Sequence, residues 1–261
     1  LGVPAGTTSD PAELTNSWSS SSQSGVSMGS DTATISVGAD NKPTHLTIHV
    51  PGEPTFMPRN TDYTLTAPGA TSLVYTGTSS DLPGSTAYVL DPAQQQWNYQ
   101  SVGLVVLPAS GENARSSYAF SGGWVTSNLP TTGTATYTGK AIGDFVPSNS
   151  AATLFIADMT ATANFGAGTL SWATSNTRTG DNVLQTPASG TLNPSLNMSF
   201  SGSPTVLEGS GGVSAPITNS AGTLSGTMYG RAYGPNAEEI GGAFYATGSL
   251  GRLAGAFGGK R

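Results

Sequence analysis

Tyr229-Gly230-Arg231-Ala232-Tyr233-Gly234-Pro235-Asn236-Ala237-Glu238-Glu239-Ile240-Gly241-Gly242-Ala243-Phe244, followed by the closing Ala256-Phe257-Gly258-Gly259-Lys260-Arg261, decides how the rest of the chain is read. Aromatic and small residues alternate up to Gly234-Pro235, which cannot continue a ladder, and resume at Ile240. The pattern predicts a strand, a tight turn and a returning strand. Gly230, Gly234, Gly241 and Gly242 are expected at positive φ or at close backbone approaches, and Glu238 and Glu239 to accept backbone N–H bonds at the turn or to face water. Neighbouring residues of a strand point to opposite faces, so these two acids cannot readily flank one bond as a catalytic carboxylate pair does.

Working back from that hairpin, evenly spaced strand patterns with internal glycines run through the second half. They are Ala135 to Ala141, Thr153 to Ala161, Gly168 to Ala173, Leu196 to Phe200, Thr223 to Gly230, Ala243 to Thr247 and Leu253 to Phe257. Such spacing predicts an up-and-down antiparallel β-barrel of about eight strands, since closure removes sheet edges and glycine permits sharp coiling. Asn128-Leu129-Pro130-Thr131-Thr132-Gly133 interrupts any strand and sets the expected division, residues 1–130 and 131–261.

The first half reads as β-rich too. Thr32 to Val37 and Leu46 to Val50 alternate at period two around the turn-forming Ala39 to Pro43, a hairpin pattern. Tyr63 to Leu65, Leu73 to Thr76 and Ala87 to Leu90 are shorter strand patterns, Trp97 to Leu107 is the most buried-looking segment, and Tyr118 to Phe120 and Trp124-Val125 complete the half. Residues 1–30, rich in Ser, Thr and Gly, are expected to form a flexible arm.

Composition supports an all-β chain. Charged residues are 9%, the formal net charge is -6 and there are 35 glycines. Polarity carried by hydroxyls suits exposed strand faces better than helices. A weakly charged acidic surface offers nothing to a phosphate backbone, which argues against nucleic acid as a partner. With 0 cysteines there are no disulfides and no thiolate metal sites. The sequence as given opens on Leu1-Gly2-Val3-Pro4, with no signal-peptide pattern and no cysteine to carry a lipid. No apolar run reaches the ~18 residues of a membrane helix, so no helical membrane span is expected.

Gly-Pro-Asn-Ala-Glu-Glu-Ile-Gly-Gly, the closing Phe-Gly-Gly-Lys-Arg, Ala135 to Gly139 and Asp158 to Gly166 together resemble the barrel domain of transferrin-binding protein B and its relatives, the factor H-binding lipoproteins and the heme carriers called hemophilins. The likeness is specific over the last half and positional over the first, where Tyr99-Gln100-Ser101-Val102-Gly103 falls near the end of what those proteins carry as a β-rich handle domain. The resemblance implies an N-terminal handle domain that meets the ligand, a barrel that is mainly scaffold, and no enzymatic activity. It further implies a secreted or surface-displayed monomer that captures heme or a host iron or heme carrier and delivers it to an outer-membrane receptor. The other readings are a lipoprotein-like docking module for transferrin or a complement regulator, and a structural or adhesive surface protein.

His45 and His49 are the only histidines. They share a strand face with Thr47, opposite Leu46, Ile48 and Val50, and four residues of strand separate them by roughly 13 Å. Axial nitrogens on one heme iron lie only about 4 Å apart, so the pair cannot sandwich a heme. One of them, His45 or His49, with Met57 or Tyr75 in support, is the expected heme ligand set, and two solvated histidines are the bland alternative. No separate metal site is expected. Trp18, Tyr63, Tyr75, Tyr88 and Trp97 are candidate aromatic anchors by residue type, with core packing their commoner fate. Gly25-Val26-Ser27-Met28-Gly29 has nucleophile-elbow spacing, but no buried strand pattern precedes it and no helix pattern follows.

Overall fold

The structure is a computed structural model. It describes the backbone of residues 6–8, 13–19, 24–28, 32–37, 43–49, 61–68, 71–77, 85–107, 115–207 and 212–261, and the side chains of 71–74, 76, 85–106, 117–206 and 212–261. Two antiparallel sheets account for almost all of it.

The first sheet holds β1 (Gly6–Thr8), β2 (Glu13–Ser19), β3 (Ser24–Met28), β4 (Thr32–Val37), β5 (Pro43–His49), β6 (Thr61–Pro68), β7 (Ser72–Gly77), β8 (Thr86–Leu90), β9 (Gln100–Leu107) and β10 (Arg115–Gly123). Their order is β1-β4-β5-β6-β7-β8-β9-β10-β2-β3. The expected hairpin is β4 and β5, paired Ile35 to Leu46 and Thr34 to Thr47. Where an arm is expected, the described residues of 1–30 are β1, β2 and β3, and β2 zips onto β10 from Glu13↔Ser121 to Ser19↔Arg115. Backbone pairing to an available edge makes a strand there without a strongly apolar sequence. Trp97 to Tyr99 are not strand either. The short helix α1 (Pro92–Gln95) turns the chain there, with the Asp91 side chain accepting from the Ala93 amide at its start.

The second sheet is built from β11 (Thr134–Pro147), β12 (Thr153–Asn164), β13 (Thr169–Thr179), β14 (Thr191–Leu192), β15 (Met198–Gly202), β16 (Thr205–Leu207), β17 (Gly212–Asn219), β18 (Leu224–Tyr233), β19 (Glu239–Gly248) and β20 (Gly251–Lys260). Each of β11, β12, β13, β15, β17, β18, β19 and β20 pairs with the next, and β20 pairs back onto β11 from Thr138↔Lys260 to Pro147↔Gly251. This is the expected closed up-and-down barrel of eight strands, with β14 and β16 as short additions. The sequence pattern misses β17 because of Pro216. That proline pairs with Thr227 of β18, while β15 meets β17 only at Thr218 and Asn219 and β16 only at residues 212–214. Residues 215–217 therefore have no ladder partner on one side, where a missing N–H does no harm.

Aromatic side chains fill the barrel. Trp172 is fully buried, with its ring centroid 5.3 Å from Phe244 and 5.2 Å from Phe257. Phe155, Met198, Ile217 and Met228 pack around them. Interiors of eight-stranded barrels of this kind are just wide enough for side chains, and this one is used up by them. A second cluster lies between the sheets, where Trp97, Val102, Leu104 and Ala119 of the first sheet and its connections meet Ile142, Leu154, Ile156 and Ala256 of the barrel.

Candidate functional site

The hairpin that opened the sequence analysis forms the joint between the two sheets. β18 and β19 are connected by residues 234–238, where Gly234 has φ +88 and Ala237 φ +59. A side chain at Gly234 would be strained by that angle. The Glu238 carboxylate stays local, accepting from the Asn236 amide at 2.9 Å and from its Nδ2 at 2.8 Å. Glu239 reaches across the joint. Its Oε1 accepts from the Asn98 amide at 2.6 Å and its Oε2 from the Tyr99 amide at 3.1 Å, and the residue is fully buried. Burial pushes its carboxyl up to about 7, with Glu238 adding to the rise and the two amides and Lys260 opposing it.

Further bonds tie the same edge. Gln100 Nε2 donates to the Gly259 carbonyl at 3.1 Å, and Lys260 Nζ to the Gln96 carbonyl at 2.6 Å. Ser121 Oγ and Tyr233 Oη share a hydrogen bond of 3.0 Å, and Ser117 Oγ donates to Asp144 Oδ2 at 3.1 Å. Beyond β10 the chain stays pinned: the Thr126 amide donates to the Ala232 carbonyl and the Gly234 amide to the Trp124 carbonyl. Gly258 is small because it must be, since a Cβ there would lie 2.6 Å from the Trp97 ring. The two acids thus have separate structural duties. The sequence pointed to their bonds with backbone amides, but nothing in it tells that Glu239 takes amides 140 and 141 positions away.

The sequence-derived ligand candidates lie elsewhere. His45 and His49 both belong to β5, inside the first sheet. His45 pairs with Ser36 of β4 and Thr64 of β6, and His49 with Thr32 of β4. The row through His45 continues to Thr64, Thr76, Thr86, Val106 and Ser117. Tyr75 sits on β7 between Leu65 and Ala87, in the next row, two strands from β5. Met57 lies outside the described residues. Trp18 and Tyr63 are placed by backbone on β2 and β6. Tyr88 packs half-buried against the inter-sheet cluster and Trp97 is buried within it, so these two serve packing.

Residues 129–261, just over half of the chain, match the family described as the C-lobe and N-lobe beta barrels of Tf-binding protein B. The chain belongs to this family. The closed cylinder of β11 to β20 is therefore a Tf-binding protein B barrel, and the family is one of binding proteins, not enzymes. Among solved structures, a mutant of transferrin binding protein B from Haemophilus parasuis superposes with a TM-score of 0.57 at 13% identity, over 96% of this chain and 44% of its own. The isotype 1 transferrin binding protein B from serogroup B Neisseria meningitidis gives 0.50 at 16% identity, over 88% of this chain and 50% of its own. The chain thus spans about half the length of these relatives, and at these identities the likeness is one of fold. No curated protein matches the chain by sequence.

Proposed function

We propose that the chain is a secreted or surface-displayed binding protein for nutrient iron acquisition, in which the first sheet acts as the handle that meets the cargo and the barrel acts as scaffold. The observation that carries this reading is the filled barrel. With Trp172, Phe155, Phe244 and Phe257 occupying its interior, a ligand has to be met on an outer surface. Family membership supports a binding role, and the transferrin-binding relatives support a host iron-carrying protein as the cargo class. Handover to an outer-membrane receptor is the step this reading expects next.

Heme is the second reading, favoured by one observation: both histidines of the chain stand on one strand of the first sheet. One of His45 and His49 would supply an axial nitrogen, with Met57 or Tyr75 in support.

Two titrations of the purified chain separate the readings. Immobilised chain exposed to iron-loaded transferrin should retain it, and H45A/H49A should retain it equally well if the cargo is the protein. Added hemin should shift its Soret band, and lose the shift in H45A/H49A, if the cargo is heme. A chain that retains no transferrin and leaves hemin unshifted loses both readings, and docking of a complement regulator or a structural or adhesive role takes their place.

A further inference from the structure

We propose that the corner built from Trp124, Tyr99 and Glu238 at the joint is a docking point for a basic segment of a partner protein, where an exposed indole and an ionised carboxylate receive an arginine or lysine side chain. Gly234 lies among the three. A Cβ there would sit 2.5 Å from Glu238 Oε2 and 2.7 Å from Tyr99 Cδ2, so the carboxylate and the tyrosine ring border the space that glycine leaves open. The Trp124 ring stands against the same tyrosine, with centroids 6.0 Å apart and planes at 83°.

The backbone holds Trp124 in this place. Its amide donates to the Tyr99 carbonyl at 2.8 Å, and its carbonyl accepts from the Gly234 amide at 2.8 Å. Thr126 Oγ1 adds a bond of 2.6 Å to the Gly234 carbonyl. Pinned on both sides, the tryptophan still stays 42% exposed, and it is the only aromatic among the large apolar side chains that remain exposed in the described residues. A ring presented in this way can be covered by a partner at little cost in ordering, the setting in which tryptophan anchors an interface.

Charge decides the kind of partner. The Glu238 oxygens accept only from Asn236, and no lysine or arginine of the described residues comes within ion-pair distance of them. Each oxygen can accept a further bond. Burial pushes this carboxyl up, but the bonds to Asn236 and the charge of Arg261 outweigh it and hold the group below the usual glutamate range, ionised at neutral pH. Of the other charged groups at the joint, Lys260 Nζ is bound to the Gln96 carbonyl and Glu239 is buried on the Asn98 and Tyr99 amides. Arg261 is the one cation left to compete. An aromatic face beside a carboxylate suits an organic cation, whereas one carboxylate offers too few oxygens for calcium or magnesium. The net charge of -6 steers a basic partner toward the chain. Trp124 lies on the connection between β10 and β11, outside the first sheet, so the proposal stands whatever that sheet captures.

The test titrates the full chain with a blocked peptide, acetyl-Gly-Arg-Gly-Arg-Gly-amide, and with the same peptide carrying citrulline, neutral and nearly isosteric, in place of arginine. NMR signals of the Trp124 indole N–H and of the Gly234 and Asn236 amides read the corner directly. At low salt the arginine peptide should shift them saturably and the citrulline peptide should leave them in place. W124A and E238Q, followed at the two amides, should each weaken the arginine peptide by about two- to fivefold, and the loss in E238Q should shrink as salt is raised. No shift with the arginine peptide, an equal shift with the citrulline peptide, or binding unchanged in W124A overturns the proposal. The two wild-type titrations keep the test decisive even where a variant does not fold.

Discussion

The barrel and the first sheet are made alike and finished differently. Both are antiparallel and rich in hydroxyl residues, but the barrel pairs its last strand with its first, whereas the first sheet ends in β1 and β3. Closure lets the barrel bury one continuous core of large aromatics, and it leaves no edge to cover. The open sheet has to find support outside itself, and it finds it by laying Trp97, Val102 and Leu104 against the barrel wall. A closed cylinder with a full interior makes a rigid mount; an open sheet is braced against it on one side. The difference teaches that two sheets of similar composition are set apart by how each is terminated.

The largest effect should come from emptying the barrel. Trp172→Ala removes the ring that touches both Phe244 and Phe257, and should lower the stability of the chain by ~3–5 kcal/mol in urea unfolding. If the cost is well below that, the barrel is not the rigid partner the comparison makes it. Next comes the joint: Gly258→Val pushes a branched side chain into the Trp97 ring and should cost about 2–3 kcal/mol, with Trp97 fluorescence shifting to the red as the ring meets water. Unchanged fluorescence would mean the sheets do not meet as described.

Acid and base sharpen the same contrast. Because burial raises Glu239 to about 7, the thermal midpoint should fall as pH rises from about 4.5 to about 7 and then level off, an effect on the order of 2–3 kcal/mol that E239Q abolishes. Tyr233→Phe removes the hydroxyl that shares a bond with Ser121 and should cost about 1 kcal/mol in the same melts. The smallest effect belongs to the barrel's outer wall. Lys140 and Asp158 lie 2.5 Å apart with side chains 36% and 42% exposed, so Lys140→Ala should change stability by less than about 1 kcal/mol, and less still in high salt.

Much of the architecture is legible in the residues because the signals are local. Alternation, glycine spacing and the Gly234-Pro235 turn point to the barrel, and Ala39 to Pro43 marks the β4–β5 hairpin. What is not legible depends on partners far away in sequence. β2 owes its structure to the edge of β10, and β17 tolerates Pro216 only because β15 and β16 leave a gap beside it. The chemistry of the joint is hidden for the same reason, since neither Glu239 nor Asn98 announces the other. Trp97, a candidate anchor by residue type alone, takes the commoner fate of packing, against the adjoining Gly258 between the sheets.

The most direct test of the division between mount and recognition face is a hydrogen-exchange footprint of the full chain, with and without iron-loaded transferrin or hemin, whichever it retains. Added protection should concentrate in β4 to β7 of the first sheet, with the outer strands β12, β13 and β15 of the barrel unchanged. Protection that maps onto those barrel strands instead, and leaves the first sheet as it was, would contradict the account.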